Sequence, residues 1–478
     1  MIKFGTSGFR GIIGEDFTKE NVQKIAYALS KYFEEEKIKK PSVVIGYDNR
    51  FMSETFAKWL GETLSSLDVK VFLYDHSVPS PVISYMTKIA NLGLMITASH
   101  NPYMYNGIKI FERPAKEVDD VFCARIEKWA NEDINIQDLL DKKHTSAKIE
   151  YISDISDFCE SILSFVDINA TKKCKFKILF NAMNGNSTEC LQYLFKRMGI
   201  KNFECMNVNR DALFRGILPA PYKKNLDDQV KKLKDEKFDL GIALDGDGDR
   251  ISVIDSKGKV LDCNFILPVL YYYFVKFKGY KGGIVKNTAL SNLSVKLAKT
   301  FNDACYDAKV GFKHIGKILS TTDAFLGGES NGIAFKKHIY SKDGLVVTAL
   351  LIGLMAESGK TIDELLKEIQ KLTKFKSKVI EYAYPISAKQ KEKISKMLFI
   401  DKKSPKLTKK ILNIVGENEY KMIFENDYWA TIRFSGTENV VIILQNRKIS
   451  KLAKKSLANL KNLLELQQDN KNFKKNRF

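Results

Sequence analysis

Apolar positions recur along this chain in two rhythms, and the changes from one to the other outline the fold. Three short β-rich runs each feed a polar loop and then a stretch of helical periodicity. Residues 43–48 lead through Asn49 and Arg50 into the amphipathic stretch 54–67. Residues 177–180 lead through 181–186 into 188–198, and 283–286 through 287–291 into 293–301. This predicts three related α/β modules, although the spacing is too irregular to read as a sequence repeat. Val22, Ile25, Ala26, Leu29 and Phe33 make one helical face after Thr18. Thr361 and Glu364 frame a capping box that opens a helix carrying Leu365, Leu366, Ile369 and Leu372. Seams near 142–145, 256–259 and 374–378 divide the chain into residues 1–143, 144–257, 258–375 and 376–478. The last piece is strand-rich and ends in a Lys/Asn-rich helix and tail.

Composition changes this outline little. With 478 residues, 44% hydrophobic and 28% charged, the chain is globular and holds several domains, which excludes a disordered chain, a collagen or a coiled-coil rod. The longest apolar run, 346–356, is about half of what a bilayer span of about twenty residues needs. Residues 1–5 lead straight into a polar Gly/Thr/Ser stretch, so a soluble, cytoplasmic protein with no membrane association is expected. The seven cysteines form no C-x-x-C pair, which argues for reduced thiols and against a disulfide framework or a zinc cage.

Charge raises one question. A net charge of +20 suggests nucleic acid, but the 66 lysines are mixed with 57 acidic residues and concentrate only in the tail, 471–477. No nucleic-acid-reading module is present. The lysines cover solvated faces or create a field that attracts anionic substrates.

Candidate chemistry sits in four polar loops. Asp245, Asp247 and Asp249 alternate with glycines and end in Arg250, between the apolar runs 240–244 and 251–255. Such a loop aims several oxygens at one hard cation, and without a counter-ion the carboxylates would repel one another. An EF-hand would place Gly at the sixth position and Glu at the twelfth, where this chain has Arg250 and Ser256. Mg²⁺ held by few carboxylates and a phosphate oxygen fits better, with Arg250 placed to clamp a phosphoryl group. The second loop, Thr97-Ala-Ser99-His100-Asn-Pro102, follows the apolar run 92–96 and either displays the Ser99 hydroxyl or simply ends a strand. Nearby Lys109 is a proton carrier or a surface ammonium. The third, Arg433-Phe-Ser435-Gly436-Thr437, is an anion cradle or a plain hairpin turn. The fourth, Gly5–Gly11 with Arg10, lacks the dinucleotide-binding pattern. Three of only 11 arginines fall in such loops, which suggests that bidentate geometry matters there.

In this order, the segments resemble the α-D-phosphohexomutase family of phosphoglucomutases and phosphomannomutases. The resemblance rests on 6–11, 97–102 with 106–109, 245–250, 310–314, 327–332 with 342–344, and 433–438. It implies an α/β fold of four domains around a central cleft: three related modules with mixed sheets and a C-terminal α+β domain. Ser99 would carry the phosphoryl group and bind Mg²⁺ together with Asp245, Asp247 and Asp249. Lys109 would be the general acid/base, with His100, Arg10 and Arg250 also in the catalytic set. Arg433, Ser435, Gly436 and Thr437 would hold the non-reacting phosphate, and Lys286, Lys313 and His314 would contact substrate from the third domain. The family's sugar loop reads Gly-Glu-x-Ser-Gly; here Gly328, Glu329, Ser330, Asn331 and Gly332 align either on Glu329, with Asn331 at the serine position, or on Ser330. Glu329, Ser330 and Asn331 are taken as the sugar grip.

The expected activity is interconversion of glucose 1-phosphate and glucose 6-phosphate through phosphoserine and a hexose 1,6-bisphosphate, which would also serve as activator. Phosphomannomutase or dual specificity is the alternative, and an inactive anion- or nucleic-acid-binding protein the rival of another class. A phosphatase of the Asp-x-Asp-Gly-Thr type is disfavoured because the continuation is missing. The expected partner is a small sugar phosphate, not nucleic acid, and the chain is expected to be a monomer or homodimer.

Overall fold

The structure, a computed structural model, describes residues 1–5, 8–136, 138, 149–376, 379–402, 410–415, 419–425, 429–434 and 440–446. Its first three sheets share one core. In the first, the strands Ser42–Tyr47, Lys70–Tyr74 and Leu92–Ile96 run parallel in spatial order two-one-three, and Tyr105–Glu112 adds antiparallel to the third. The second repeats this order with Ile178–Asn181, Phe203–Met206, Leu240–Leu244 and an antiparallel Ile251–Asp255. The third repeats it with Ile284–Asn287, Cys305–Ala308, Leu326–Glu329 and an antiparallel Gly332–Phe335. Each of the three β-rich runs seen in the sequence opens this four-strand pattern in one module; in the first, Phe4–Gly5 and Gly8–Ile12 precede it and extend the sheet beyond Tyr105–Glu112. In every module the turn from third to fourth strand leaves the carboxyl end of a parallel strand, where open α/β sheets bind ligands.

Two strands lie beside the expected seams. Ile149–Ile152, placed by sequence in the second module, pairs parallel with Lys70–Tyr74 and extends the first sheet. Residues 256–259 form the turn into Val260–Leu261, which pairs with Ile251–Asp255 at the edge of the second sheet. The seam expected at 142–145 lies outside the described residues.

The helices follow their signals. Thr18 caps Lys19–Glu35 by accepting from the Asn21 N–H, and all five apolar-face residues are buried. The capping box opens Ile362–Thr373 as expected, but Leu372 at its end is 44% exposed. The apolar run 346–356 lies in Gly344–Ser358, a helix apolar on all sides and therefore placed in the core. Among the described residues no single helix is long and apolar enough to cross a membrane; that helix and Ile362–Thr373, bent by 79°, pass only together, on length and composition.

The C-terminal sheet is wholly antiparallel, in the order Val379–Pro385, Val440–Asn446, Trp429–Phe434, Glu419–Ile423, Asn413–Val415, with its own small core. The Lys/Asn-rich terminal helix expected from sequence lies outside the described residues. This sheet docks on the third module at Thr288, whose hydroxyl donates to Glu419 and whose carbonyl accepts from Lys421 Nζ at 2.7 Å. Burial, reinforced by the Lys286 charge, pulls the Lys421 ammonium down to about 8, although Asp307 and Glu419 oppose the shift. The folded chain thus binds this proton more weakly than the unfolded chain, so stability rises with pH from about 8 to the ordinary lysine value. Lys421→Met cannot titrate. Denaturant unfolding at pH 7.5 and pH 10.5 should therefore show wild type gaining on the variant by on the order of 3 kcal/mol. A constant difference would mean that Lys421 titrates normally.

Candidate active site

The turns from third to fourth strand of the three modules meet. In the first, Leu92–Ile96 is buried along its whole length and ends in a loop where Ser99 takes a left-handed backbone, φ 53°. The Ser99 side chain is fully buried, and its Oγ donates to Asp245 Oδ2 of the second module at 2.9 Å. The second module's turn carries the three aspartates, all buried, with one carboxylate oxygen from each lying within 4.8 Å of the others. Gly248, at φ 74°, makes this tight loop possible. The third module's turn is the two-residue hairpin Ser330–Asn331, tied to the second module by the bond from Ile251 N to Asn331 O and to the start of its own module's helix Cys263–Phe277 by the bond from Cys263 N to Ser330 O.

Lys109 lies on Tyr105–Glu112, fully buried, and is no surface ammonium. Its Nζ donates to Asp247 Oδ2 at 2.5 Å and to Asp249 Oδ2 at 2.6 Å. Lys342, from the third module, reaches 3.3 Å from Asp249 and lies within 4.0 Å of Glu329 and 3.9 Å of Glu117. The Arg250 N–H donates to Asp245 Oδ1, and its guanidinium reaches the Tyr222 hydroxyl at 3.2 Å. The Arg10 guanidinium donates to Asn101 Oδ1 at 2.6 Å.

These charges divide the aspartates. Burial, then the neighbouring Asp247 and Asp249, raise Asp245 well above the usual carboxylate range. Burial opposes ionisation of Asp249 too, but Lys109, Lys342 and Arg250 outweigh it and hold that carboxyl low. Lys109 is the converse case: burial disfavours its charge, yet Asp247 and Asp249 hold it raised. His100 is kept neutral, first by burial and then by Arg250, Arg10 and Lys342.

Two observations test whether a divalent cation suits the site. The donors are hard oxygens, and among the described residues Asp247 Oδ1 and Asp249 Oδ1 are buried without a hydrogen-bond partner. Both fit.

The other expected residues are more dispersed. Lys286 pairs with Asp307, and Lys313 with Asp120 of the first module; His314 is half-buried beside Lys313. Arg433 lies on Trp429–Phe434, in register with Glu419, and its buried Nε has no hydrogen-bond partner among the described residues. Ser435, Gly436 and Thr437 lie outside the described residues. Glu329 ends its strand facing Lys342, and Gly332 opens the next, where a Cβ would fall 2.4 Å from the Lys342 side chain. Only glycine fits there, which supports the alignment on Glu329 with Asn331 at the serine position. Sequence reasoning missed Lys342 and Glu117. The motif 342–344 carried part of the resemblance, but nothing local showed that its lysine would point at an aspartate of another module.

Comparison with known proteins bears on the same segments. The phosphoglucomutase/phosphomannomutase alpha/beta/alpha domain I model matches residues 1–136, domain II matches 156–258 and domain III matches 262–372. The chain belongs to the α-D-phosphohexomutase family. Among similar phosphohexomutases, a phosphoglucomutase/phosphomannomutase of Thermococcus kodakarensis is 30% identical over 460 residues, covering 95% of this chain and 96% of that protein. A phosphoglucosamine/phosphogalactosamine mutase of Sulfurisphaera tokodaii is 29% identical, covering 97% and 99%. Further relatives at 27–31% identity carry the name phosphoglucosamine mutase. A Thermus thermophilus structure, solved as a candidate phosphomannomutase, superposes with a TM-score of 0.82 at 25% identity, covering 97% and 99%. The α/β architecture with a further C-terminal sheet is thus the family's, and phosphohexomutase is the enzyme class.

Proposed function

We propose that this phosphohexomutase interconverts the 1- and 6-phosphates of a gluco-configured hexose through phosphoserine at Ser99. The observation that carries the reading is the bond from Ser99 Oγ to Asp245, inside a cluster of three buried aspartates with Lys109 against them. In the forward half-reaction a sugar hydroxyl attacks the phosphorus and the bond from phosphorus to Ser99 Oγ breaks. The hydroxyl gives up its proton to the polar cluster around Lys109, and the departing Ser99 Oγ takes one up from the same cluster, where Asp245 faces it. The cluster ends with the protons it began with. The bisphosphate that forms turns over and returns its other phosphate to Ser99. Catalysis here is mainly positioning and charge stabilisation. Arg10 and Arg250 flank the transferring group, neutral His100 lines it, and buried walls exclude the water that would hydrolyse phosphoserine. Asp245, Asp247, Asp249 and Ser99 would hold Mg²⁺, which would neutralise charge on the phosphoryl oxygens. Hexose 1,6-bisphosphate is the expected activator, and the cytoplasm the expected setting.

Glu329, at the sugar hairpin, offers a carboxylate that can grip two adjacent ring hydroxyls and need not read the substituent at C2. Glucose, expected from sequence, and glucosamine, named for many relatives, therefore both fall within this reading. A coupled assay on glucose, mannose and glucosamine 1-phosphates with Mg²⁺ and catalytic bisphosphate tests it; no turnover of the glucose or glucosamine compound, with or without turnover of the mannose one, would overturn it. Lys286, Lys313 and His314 are assigned to the substrate from the third module, and Ser435–Thr437 with Arg433 to the non-reacting phosphate. Arg433→Ala should lower kcat/KM by about 10–150-fold, the loss of a charge-assisted pair of about 1.5–3 kcal/mol. Unchanged kinetics would make that segment a turn only.

A further inference from the structure

Arg50 does not touch the reacting groups, yet it grips the loop that presents them. Its side chain is fully buried, and each of its five N–H donors has a partner. Nη2 donates to Ser99 O at 2.6 Å and Asn101 O at 2.8 Å; Nη1 donates to Pro102 O at 2.8 Å and Tyr105 O at 3.2 Å. Nε donates to Asp48 Oδ2 at 3.1 Å. One planar fork thus binds four carbonyls of the Ser99 loop, and the Phe214 ring of the second module lies 5.0 Å from the guanidinium carbon.

A second strap runs from the same ion pair. Asp48 Oδ2 accepts from Thr97 Oγ1 at 2.6 Å, and Thr97 Oγ1 accepts the Ser99 N–H at 2.8 Å. Ser53 Oγ and the Arg50 N–H fill Asp48 Oδ1. Ser99 is therefore tied at its carbonyl by Arg50 and at its N–H through Thr97. It is held in a left-handed conformation that a non-glycine residue adopts only under outside constraint. The Asn101 main chain is held by the same guanidinium, and the Asn101 side chain orients Arg10.

We infer that Arg50 is a positioning residue for phosphoryl transfer, its guanidinium fixing the Ser99 main chain so that Oγ faces Asp245 and Arg10 faces the same point. The inference rests on Ser99 being the phosphoryl carrier. A lysine keeps the charge but cannot make four divergent bonds from one plane. Misplacing a reacting atom by about 1 Å can cost about 10²-fold in rate.

The test compares wild type, Arg50→Lys and Asp48→Asn as full chains. The readouts are steady-state kinetics on the preferred hexose 1-phosphate, and the rate at which glucose 1,6-bisphosphate phosphorylates Ser99, followed by mass spectrometry. For Arg50→Lys, kcat and the Ser99 phosphorylation rate should each fall by about 10²-fold or more, while KM moves less than about threefold, since the sugar hairpin and the Arg433 segment are untouched. Phosphorylation of Arg50→Lys at the wild-type rate, or a loss confined to KM, would overturn the inference while leaving Ser99 as the carrier. Wild type that takes no phosphate on Ser99 would overturn both. If Arg50→Lys does not fold, Asp48→Asn decides, because it keeps the shape of Asp48 while weakening the bond that orients the guanidinium through Nε. A fall in kcat and in the Ser99 phosphorylation rate at constant KM supports the inference, and wild-type rates refute it.

Discussion

Ser99→Ala should lower mutase turnover by on the order of 10⁴-fold or more, as deletion of a nucleophile does elsewhere. The fold should tolerate the change. Alanine meets the same left-handed backbone as serine, and the lost hydrogen bond to Asp245 is worth about 1 kcal/mol. Hexose phosphate should still bind, since Glu329 and the Arg433 segment do not involve this hydroxyl. Two measurements check the prediction: turnover in the coupled assay, and mass spectrometry of wild type after bisphosphate treatment. Near-normal turnover of the variant, or phosphate on another residue, would sink the mechanism.

Asp247→Asn should have the next largest effect, more than about 100-fold in kcat, beyond the upper end of what a merely supporting partner of a metal site costs. From spacing alone, the variant would be expected to keep its full stability without metal. The structure revises that. Asp247 is fully buried, accepts from Lys109 and Ser80, and helps to neutralise a buried ammonium. Asp249 remains to pair with Lys109, and removing one of three crowded carboxylates relieves repulsion. A loss of about 1–3 kcal/mol in metal-free buffer is therefore expected, less than for an isolated buried pair. Denaturant unfolding in chelator measures this, and activity of wild type in excess chelator measures the cation requirement. Full wild-type activity there would remove metal from the mechanism.

Much of this site could be read from residue types because its reagents are chemically unusual at short range. Three aspartates in a glycine-hinged loop, or a hydroxyl beside His-Asn-Pro after an apolar run, stand out against any background. Lys342 and Arg50 did not, for a physical reason. A buried cation draws its meaning from partners far away in the chain: Lys342 from Asp249, Arg50 from the carbonyls of residues 99–105. Among 66 lysines nothing local separates buried ones such as Lys109 and Lys342 from those in solvent. The pairing at a module's edge hides in the same way. Lys257-Gly258 looks like linker sequence, yet its backbone turns a strand back onto its own sheet, with Asp255 accepting from the N–H groups of Lys257 and Lys259.

The shared strand order of the three modules has a further consequence, for how such a chain changes over generations. One ancestral unit, copied twice, would supply three equivalent loops at one meeting point, each free to specialise once the others covered its duties. On the function proposed above, one would now carry the nucleophile, one the cation ligands and one the sugar grip. The hairpin Ser330–Asn331 with its flanking Glu329 and Gly332 is short, so on that reading a new sugar could be selected by rewriting a few codons while the phosphoryl machinery on the other two copies is inherited intact.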